Sequence, residues 1–109
     1  MIADTEATVA NFVKVARRDE VKDGAGKTVE VAGRQIALFN IGGKFYAIDN
    51  ACRHRKGPLG EGEVYGTTVV CPWHGWEYDV TTGASLDDAN VKVACFEVRV
   101  EGDDILLAR

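Results

Sequence analysis

The stretch Ile48–Thr82, IDNACRHRKGPLGEGEVYGTTVVCPWHGWEYDVTT, decides how this chain folds, because it places both histidines of the 109-residue sequence next to cysteines. The spacing is C-x-H at Cys52 and His54, then sixteen residues, then C-x-x-H at Cys71 and His74. Four side chains at these separations cannot share one face of a helix, so they must come from two loops whose tips meet. The pattern therefore predicts a metal site.

The residue types alone do not choose the metal, because thiolates and imidazoles bind both structural zinc and Rieske-type iron–sulfur clusters. Zinc fingers usually begin with a pair of cysteines and end with a pair of histidines on a helix. Here each loop supplies one cysteine and one histidine, and no helix is predicted near His74. A zinc-stabilised binding module stays open as one interpretation.

The two motifs also resemble a known family. Cys52–His54 followed by Gly57–Leu59, and then Cys71–Asp79 (CPWHGWEYD), are similar to the two cluster-binding loops of Rieske [2Fe–2S] proteins. The likeness extends more loosely from about Phe12 to the C-terminus, and the length is that of the small, free-standing Rieske ferredoxins. The resemblance implies an electron carrier without catalytic residues of its own.

The resemblance also implies the ligands of one [2Fe–2S] cluster per chain. Cys52 and Cys71 would bind one iron, and His54 and His74 would bind the other. An electron would come from a flavin-dependent reductase and go to a terminal oxygenase or a similar acceptor. The small subunit of assimilatory nitrite reductase looks similar and is the alternative within the same family.

Two residues after the second motif bear on the reduction potential. High-potential Rieske proteins place a serine two residues, and a tyrosine four residues, after the second histidine, where their hydroxyls donate to the sulfurs. This chain has Trp76 and Tyr78 at those positions. With one of the two donors retained, we predict a potential near the low end of the Rieske range, about −150 to 0 mV.

Charge indicates which partners are plausible. The net charge of −4 argues against nucleic acid, because no basic face is available to neutralise phosphates. Arg53, Arg55 and Lys56 nevertheless surround His54 with positive charge. This loop is either an ordinary solvated segment or the part that docks onto an acidic surface of a redox partner.

The sequence also predicts a compartment. No apolar run is long enough to span a membrane, and the N-terminus has no signal-peptide pattern. Exported Rieske proteins carry an extra cysteine pair that joins the two loops, and the matching positions here hold Gly57 and Trp73. We therefore expect a cytoplasmic protein. The third cysteine, Cys95, is predicted to be a core or half-core thiol without a redox role.

Alternating apolar positions, separated by glycine turns, predict an all-β fold. We expect one domain over residues 1–109, a small antiparallel sandwich or barrel with an inserted cluster-binding subdomain at about residues 50–80. We also predict a charged loop from Arg18 to Lys27. A bulge or strand break is expected near Ala94–Cys95, where the alternation of apolar and polar residues changes phase. The predicted strands are Asn11–Arg17, Thr28–Val31, Arg34–Ile41, Lys44–Asp49, Val64–Val70, Trp76–Val80 and Ile105–Ala108.

Overall fold

The computed structural model describes residues 12–53, 57–73 and 75–108, and within them it contains β-strands and two single 3₁₀ turns. The turns are Arg18–Glu20 and Leu59–Glu61. The strands are β1 Phe12–Arg17, β2 Ala25–Val31, β3 Arg34–Ile41, β4 Lys44–Asp49, β5 Glu63–Tyr65, β6 Thr68–Val70, β7 Glu77–Asp79, β8 Cys95–Phe96, β9 Val98–Glu101 and β10 Asp104–Ala108.

The strands form three antiparallel sheets, ordered β1-β10-β9, β2-β3-β4-β8 and β5-β6-β7. The second sheet is central because β3 is buried on both faces. Its alternation sends Ile36 and Leu38 to one apolar core and Ala37 and Phe39 to another. The first core lies between this sheet and the β1-β10-β9 sheet. The second core includes both cysteines of the predicted metal site.

The predicted hairpins on either side of β3 are confirmed. Ala32 (φ 53°) and Gly33 (φ 79°) connect β2 to β3, while Gly42 (φ 62°) and Gly43 (φ 91°) connect β3 to β4. Positive φ at both central residues is the geometry of two-residue turns whose twist matches that of the flanking strands.

Strand β2 begins earlier than predicted. Residues from Ala25 to Lys27 belong to the strand and pair with β3, where the sequence had indicated a loop. The error arises from Gly26, because glycine weakens the interior of a strand and therefore indicated a loop in the sequence. In the folded protein a Cβ at Gly26 would lie 2.6 Å from the Phe39 ring and 2.9 Å from the Gly60 carbonyl oxygen. The strand therefore needs glycine where another chain segment passes close to it.

The prediction of one strand over Val64–Val70 was wrong. The segment is a hairpin, β5–β6, in which Tyr65 pairs with Thr68. Gly66 has a φ of 62° and reverses the chain. This hairpin, continued by β7, forms the small sheet on which the second predicted metal loop is mounted.

The change of phase near residue 95 is a change of sheet. β8 pairs with β4, whereas β9 pairs with β10 in the other sheet. The crossing point is Glu97, two residues beyond the predicted break. Val93 packs in the second core, and Phe96 packs against the first, so the alternation shifts because the chain moves from one core to the other.

Membrane-spanning length is not reached by any helix in the part of the chain that the structure describes.

Candidate metal centre

The two cysteines of the predicted site lie at the bases of two loops. Cys52 follows β4 by three residues, and Cys71 comes directly after β6. Both are buried, with 1% and 3% of their surface exposed, and both belong to the second apolar core. His54 and His74 lie outside the described residues, so their place in the site stays a prediction.

Gly57 is the point at which the two loops meet. Its carbonyl oxygen accepts a hydrogen bond of 3.0 Å from the backbone N–H of Cys52. A Cβ built on Gly57 would lie only 2.6 Å from Sγ of Cys71. One residue of the first loop thus contacts both cysteines, so the two loops meet at Gly57.

Tyr78 supplies a polar group in this otherwise apolar place. Its Oη lies 3.4 Å from Sγ of Cys52 and accepts a hydrogen bond of 3.0 Å from the backbone N–H of Arg53. Burial, and after it the contact with Cys52, raises the pKa of the Tyr78 hydroxyl above its ordinary value. The hydroxyl therefore stays protonated and can donate a hydrogen bond to a thiolate sulfur.

The backbone closes each loop with short hydrogen bonds. In the second loop, the N–H of Cys71 donates to the carbonyl of Trp76 at 2.7 Å, and the N–H of Gly75 donates to the carbonyl of Cys71 at 3.0 Å. In the first loop, the N–H of Leu59 donates to the carbonyl of Asn50 at 2.8 Å. The cysteines are therefore held by closed loops rather than by extended segments.

Trp73 packs across the gap between the loops. A Cβ on Gly57 would lie 3.1 Å from Cγ of Trp73, although 57% of the tryptophan surface is exposed. These are the two positions at which exported Rieske proteins carry their cysteine pair. In this chain a glycine and an indole meet there, so the loops are in contact without a covalent bond.

Cys95 does not belong to the core, and the prediction that it does was wrong. Its side chain is exposed, while its backbone pairs with Ile48 at the edge of the central sheet. The short strand β8 has only one partner strand, which leaves this residue at the surface. No disulfide joins any two of the three cysteines, all of which are described.

The residues fit the thiolate half of an iron–sulfur centre. Both cysteines are buried and meet at Gly57, the Tyr78 hydroxyl lies beside Sγ of Cys52, and Gly57 leaves space beside Sγ of Cys71. Within residues 12–53, 57–73 and 75–108 no third His, Cys, Asp or Glu joins them in a group that could hold a metal ion. The other two ligands of the prediction, His54 and His74, are outside these ranges.

Comparison with known proteins supports the same interpretation. The family model described as "Rieske [2Fe-2S] domain" matches residues 11–97. The ferredoxin component of naphthalene 1,2-dioxygenase/salicylate 5-hydroxylase systems from a Ralstonia species is 32% identical over 98 residues, which are 89% of this chain and 94% of the relative.

Solved structures agree with this match. The ferredoxin of carbazole 1,9a-dioxygenase from Nocardioides aromaticivorans IC177 superposes with a TM-score of 0.84 and 32% identity, over 90% of this chain and 97% of that one. A chain in the structure described as a complex of reduced oxygenase and oxidized ferredoxin in carbazole 1,9a-dioxygenase is also similar. It superposes with a TM-score of 0.82 and 29% identity, over 90% of this chain and 93% of that one.

These matches decide between the two metals that the residue types left open, and they favour the cluster over zinc. The relatives are named as ferredoxin components of oxygenase systems, which are electron-transfer parts rather than catalytic ones. The all-β fold is shared with the solved structures as well. The chain therefore belongs to the Rieske [2Fe–2S] domain family and is an electron carrier with a [2Fe–2S] cluster.

Proposed function

We propose that Cys52, His54, Cys71 and His74 bind the cluster, and that the chain carries single electrons from a flavin-dependent reductase to a terminal oxygenase. The observation that carries the ligand assignment is the convergence of Cys52 and Cys71 on Gly57. The oxygenase is proposed as the acceptor because a relative of this fold is named in a complex with one. A cytoplasmic location accompanies the proposal, since Gly57 and Trp73 replace the bridging cysteine pair of exported members.

When bound, the cluster supplies reversible one-electron chemistry, and the protein controls its potential through the groups around the sulfurs. Histidines in place of two thiolates make the centre less negative, which favours electron uptake. The buried Tyr78 hydroxyl acts in the same direction, because a hydrogen bond to sulfur is strengthened when negative charge increases there.

Tyr78→Phe should lower the midpoint potential of the cluster. Phenylalanine keeps the ring in the second core and removes the hydroxyl, which lies against Sγ of Cys52 and also accepts the backbone N–H of Arg53. If the bond is stronger by about 1 kcal/mol in the reduced protein, the shift is about −40 mV for a one-electron couple. A redox titration followed by visible absorbance or circular dichroism measures it. Tyr46→Phe is the control, and a potential unchanged in Tyr78→Phe contradicts the role of the hydroxyl.

The exposed indole of Trp73 is proposed to contact the redox partner. It lies on the second loop, two residues after the buried Cys71, and borders Gly57 of the first loop. Exposed aromatic side chains provide much of the binding free energy when an interface covers them. The positive charges of Arg53, Arg55 and Lys56, which flank His54 in the sequence, would favour a partner with an acidic surface.

Trp73→Ala should slow electron delivery to a Rieske terminal oxygenase by about tenfold at limiting oxygenase, through loss of about 1.4 kcal/mol of binding. Stopped-flow reoxidation of the reduced chain by the oxygenase measures this rate. Tyr65→Ala is the matched control, since Tyr65 has an exposure of 61%, close to the 57% of Trp73, but lies on strand β5 and not on the loop that carries Cys71. Equal rates for the two variants would contradict partner contact at Trp73.

The function itself is tested by reconstitution. With a flavin-dependent NADH reductase and a terminal oxygenase, substrate-dependent NADH oxidation should require this chain and should saturate with its concentration. The carrier role is rejected if the reductase does not reduce the cluster, or if the reduced chain does not transfer its electron to the oxygenase.

A further inference from the structure

Asn50 is a buried polar residue for which the motif has no assigned use. Only 4% of its surface is exposed, and it lies two residues before Cys52. Its side-chain Oδ1 accepts two hydrogen bonds, one of 2.7 Å from the backbone N–H of Gly60 and one of 3.1 Å from Oγ1 of Thr28. Its backbone carbonyl accepts the N–H of Leu59 at 2.8 Å. One residue thus joins both ends of the first loop to strand β2.

Gly60 packs closely against Thr28 and Asn50, with no space for a side chain. A Cβ there would lie 2.5 Å from Oγ1 of Thr28, 2.9 Å from its backbone nitrogen and 3.0 Å from Oδ1 of Asn50. The loop backbone is therefore in direct contact with the central sheet at this point. Because Gly60 is buried, its N–H has no access to bulk water, and Oδ1 of Asn50 is its acceptor.

Asn50 also defines the size of the first loop. Its backbone carbonyl accepts from Leu59 and its side chain accepts from Gly60. The residues between Asn50 and Leu59, which include Cys52, therefore form a closed loop. Inside that loop, Ala51 and Pro58 form an isolated β-bridge, and the backbone N–H of Cys52 donates a hydrogen bond to the carbonyl of Gly57. The position of Sγ of Cys52 is thus set relative to the central sheet through Asn50.

We propose that Asn50 is a positioning residue for the cluster, which holds the first loop, and with it Cys52, at a fixed distance from strand β2. The proposal rests on the assignment of Cys52 as a ligand. Without the carboxamide, the Gly60 N–H loses its acceptor and the loop can move away from the sheet. The loop would then release its ligand more often, and the geometry around the bound sulfur would vary.

Asn50→Ala should increase the rate of cluster loss about tenfold, the lower end of the effect of losing an outer-shell partner of a metal ligand. Bleaching of the visible absorbance in the presence of an iron chelator gives the rate, at a temperature the same number of degrees below the Tm of each variant. The EPR spectrum of the reduced protein should broaden as well. Asn50→Asp keeps an acceptor for Gly60 and Thr28 at the cost of a buried charge, and should lose the cluster more slowly than Asn50→Ala at the same distance from the Tm.

Asn40, near the C-terminal end of strand β3, offers a matched control. It is also buried, its Nδ2 donates to the carbonyl of Val21 at 2.8 Å, and its Oδ1 accepts the N–H of Gly43 at 2.8 Å. Asn40→Ala should lower the Tm but leave the cluster-loss rate and the EPR line shape unchanged. If both alanine variants lose the cluster equally fast, Asn50 acts only through global stability and the proposal is rejected.

Thr28→Val keeps the experiment decisive if Asn50→Ala does not fold. This change removes one donor to Oδ1 at constant shape and should accelerate cluster loss by a smaller factor, while an unchanged rate counts against the proposal. Failure of the ligand assignment itself would appear differently, as iron and sulfide that remain bound after Cys52 is replaced.

Discussion

Cys52→Ser and Cys71→Ser should each yield a protein without its cluster. Both cysteines are buried and both meet Gly57, Cys52 through its backbone N–H and Cys71 through Sγ, so a serine in place of either one would leave the iron without its thiolate. Loss of an outer-shell partner already costs 10–100-fold in affinity, and a direct ligand costs more. Iron and acid-labile sulfide should therefore fall by more than about tenfold. The EPR signal of the reduced protein should disappear with them.

Cys95→Ser is the natural control, because it removes the third thiol of the same chain. Cys95 is exposed and pairs through its backbone alone with β4. Its replacement should leave iron, sulfide and the EPR spectrum at their normal values. Full cluster content in either Cys52→Ser or Cys71→Ser would refute the ligand assignment, whatever the behaviour of Cys95→Ser.

Gly57→Ala should have the second-largest effect. The new methyl group would lie 2.6 Å from Sγ of Cys71, closer than a Cβ approaches another heavy atom without displacement, and 3.1 Å from Cγ of Trp73, which is a tight contact. Overpacking of this kind typically costs 1–3 kcal/mol. Here that cost falls on the contact between the two loops, so Cys71 and Trp73 must move away from the first loop. We expect lower cluster content after expression and about tenfold faster bleaching at equal distance from the Tm, since 1.4 kcal/mol corresponds to a factor of ten.

Gly66→Ala separates this effect from the general cost of replacing a glycine in the same subdomain. Gly66 has a φ of 62°, and a Cβ there would meet nothing within 4 Å. Its replacement strains the β5–β6 turn by about 1 kcal/mol and should lower the Tm without loss of the cluster. If Gly57→Ala binds its cluster as firmly as Gly66→Ala, the close approach of Gly57 to Cys71 has no functional meaning.

Much of this architecture is local in origin and can be predicted from the sequence. The hairpins around β3 follow from alternating apolar residues and from the pairs Ala32–Gly33 and Gly42–Gly43, whose effect is confined to two or three residues. The second cysteine motif is a continuous segment, and the position of Tyr78 is determined by its distance from that motif. The predicted contact of Tyr78 with the site is confirmed at Cys52.

Two of the errors, at Gly26 and Cys95, depend on segments distant in the sequence, whereas the missed hairpin at Gly66 is a local turn. Gly26 is part of a strand because Phe39 and the Gly60 carbonyl fill the space of its side chain. Cys95 is exposed because its short strand lies at the edge of the central sheet. Composition and periodicity describe a residue and its neighbours along the chain, and they contain no information about such approaches.

By itself, the sequence determined the all-β class, the two cysteine–histidine motifs and the resemblance to Rieske proteins, because each depends on residues within one short segment. Only the tertiary structure decided how the loops are held: Gly57 between the two cysteines, and Asn50 between the first loop and Thr28 of β2. These contacts join residues 10 to 22 positions apart or lie between separate loops. They form only when both cores are packed, since packing alone brings the backbone of one loop to hydrogen-bonding distance of another element.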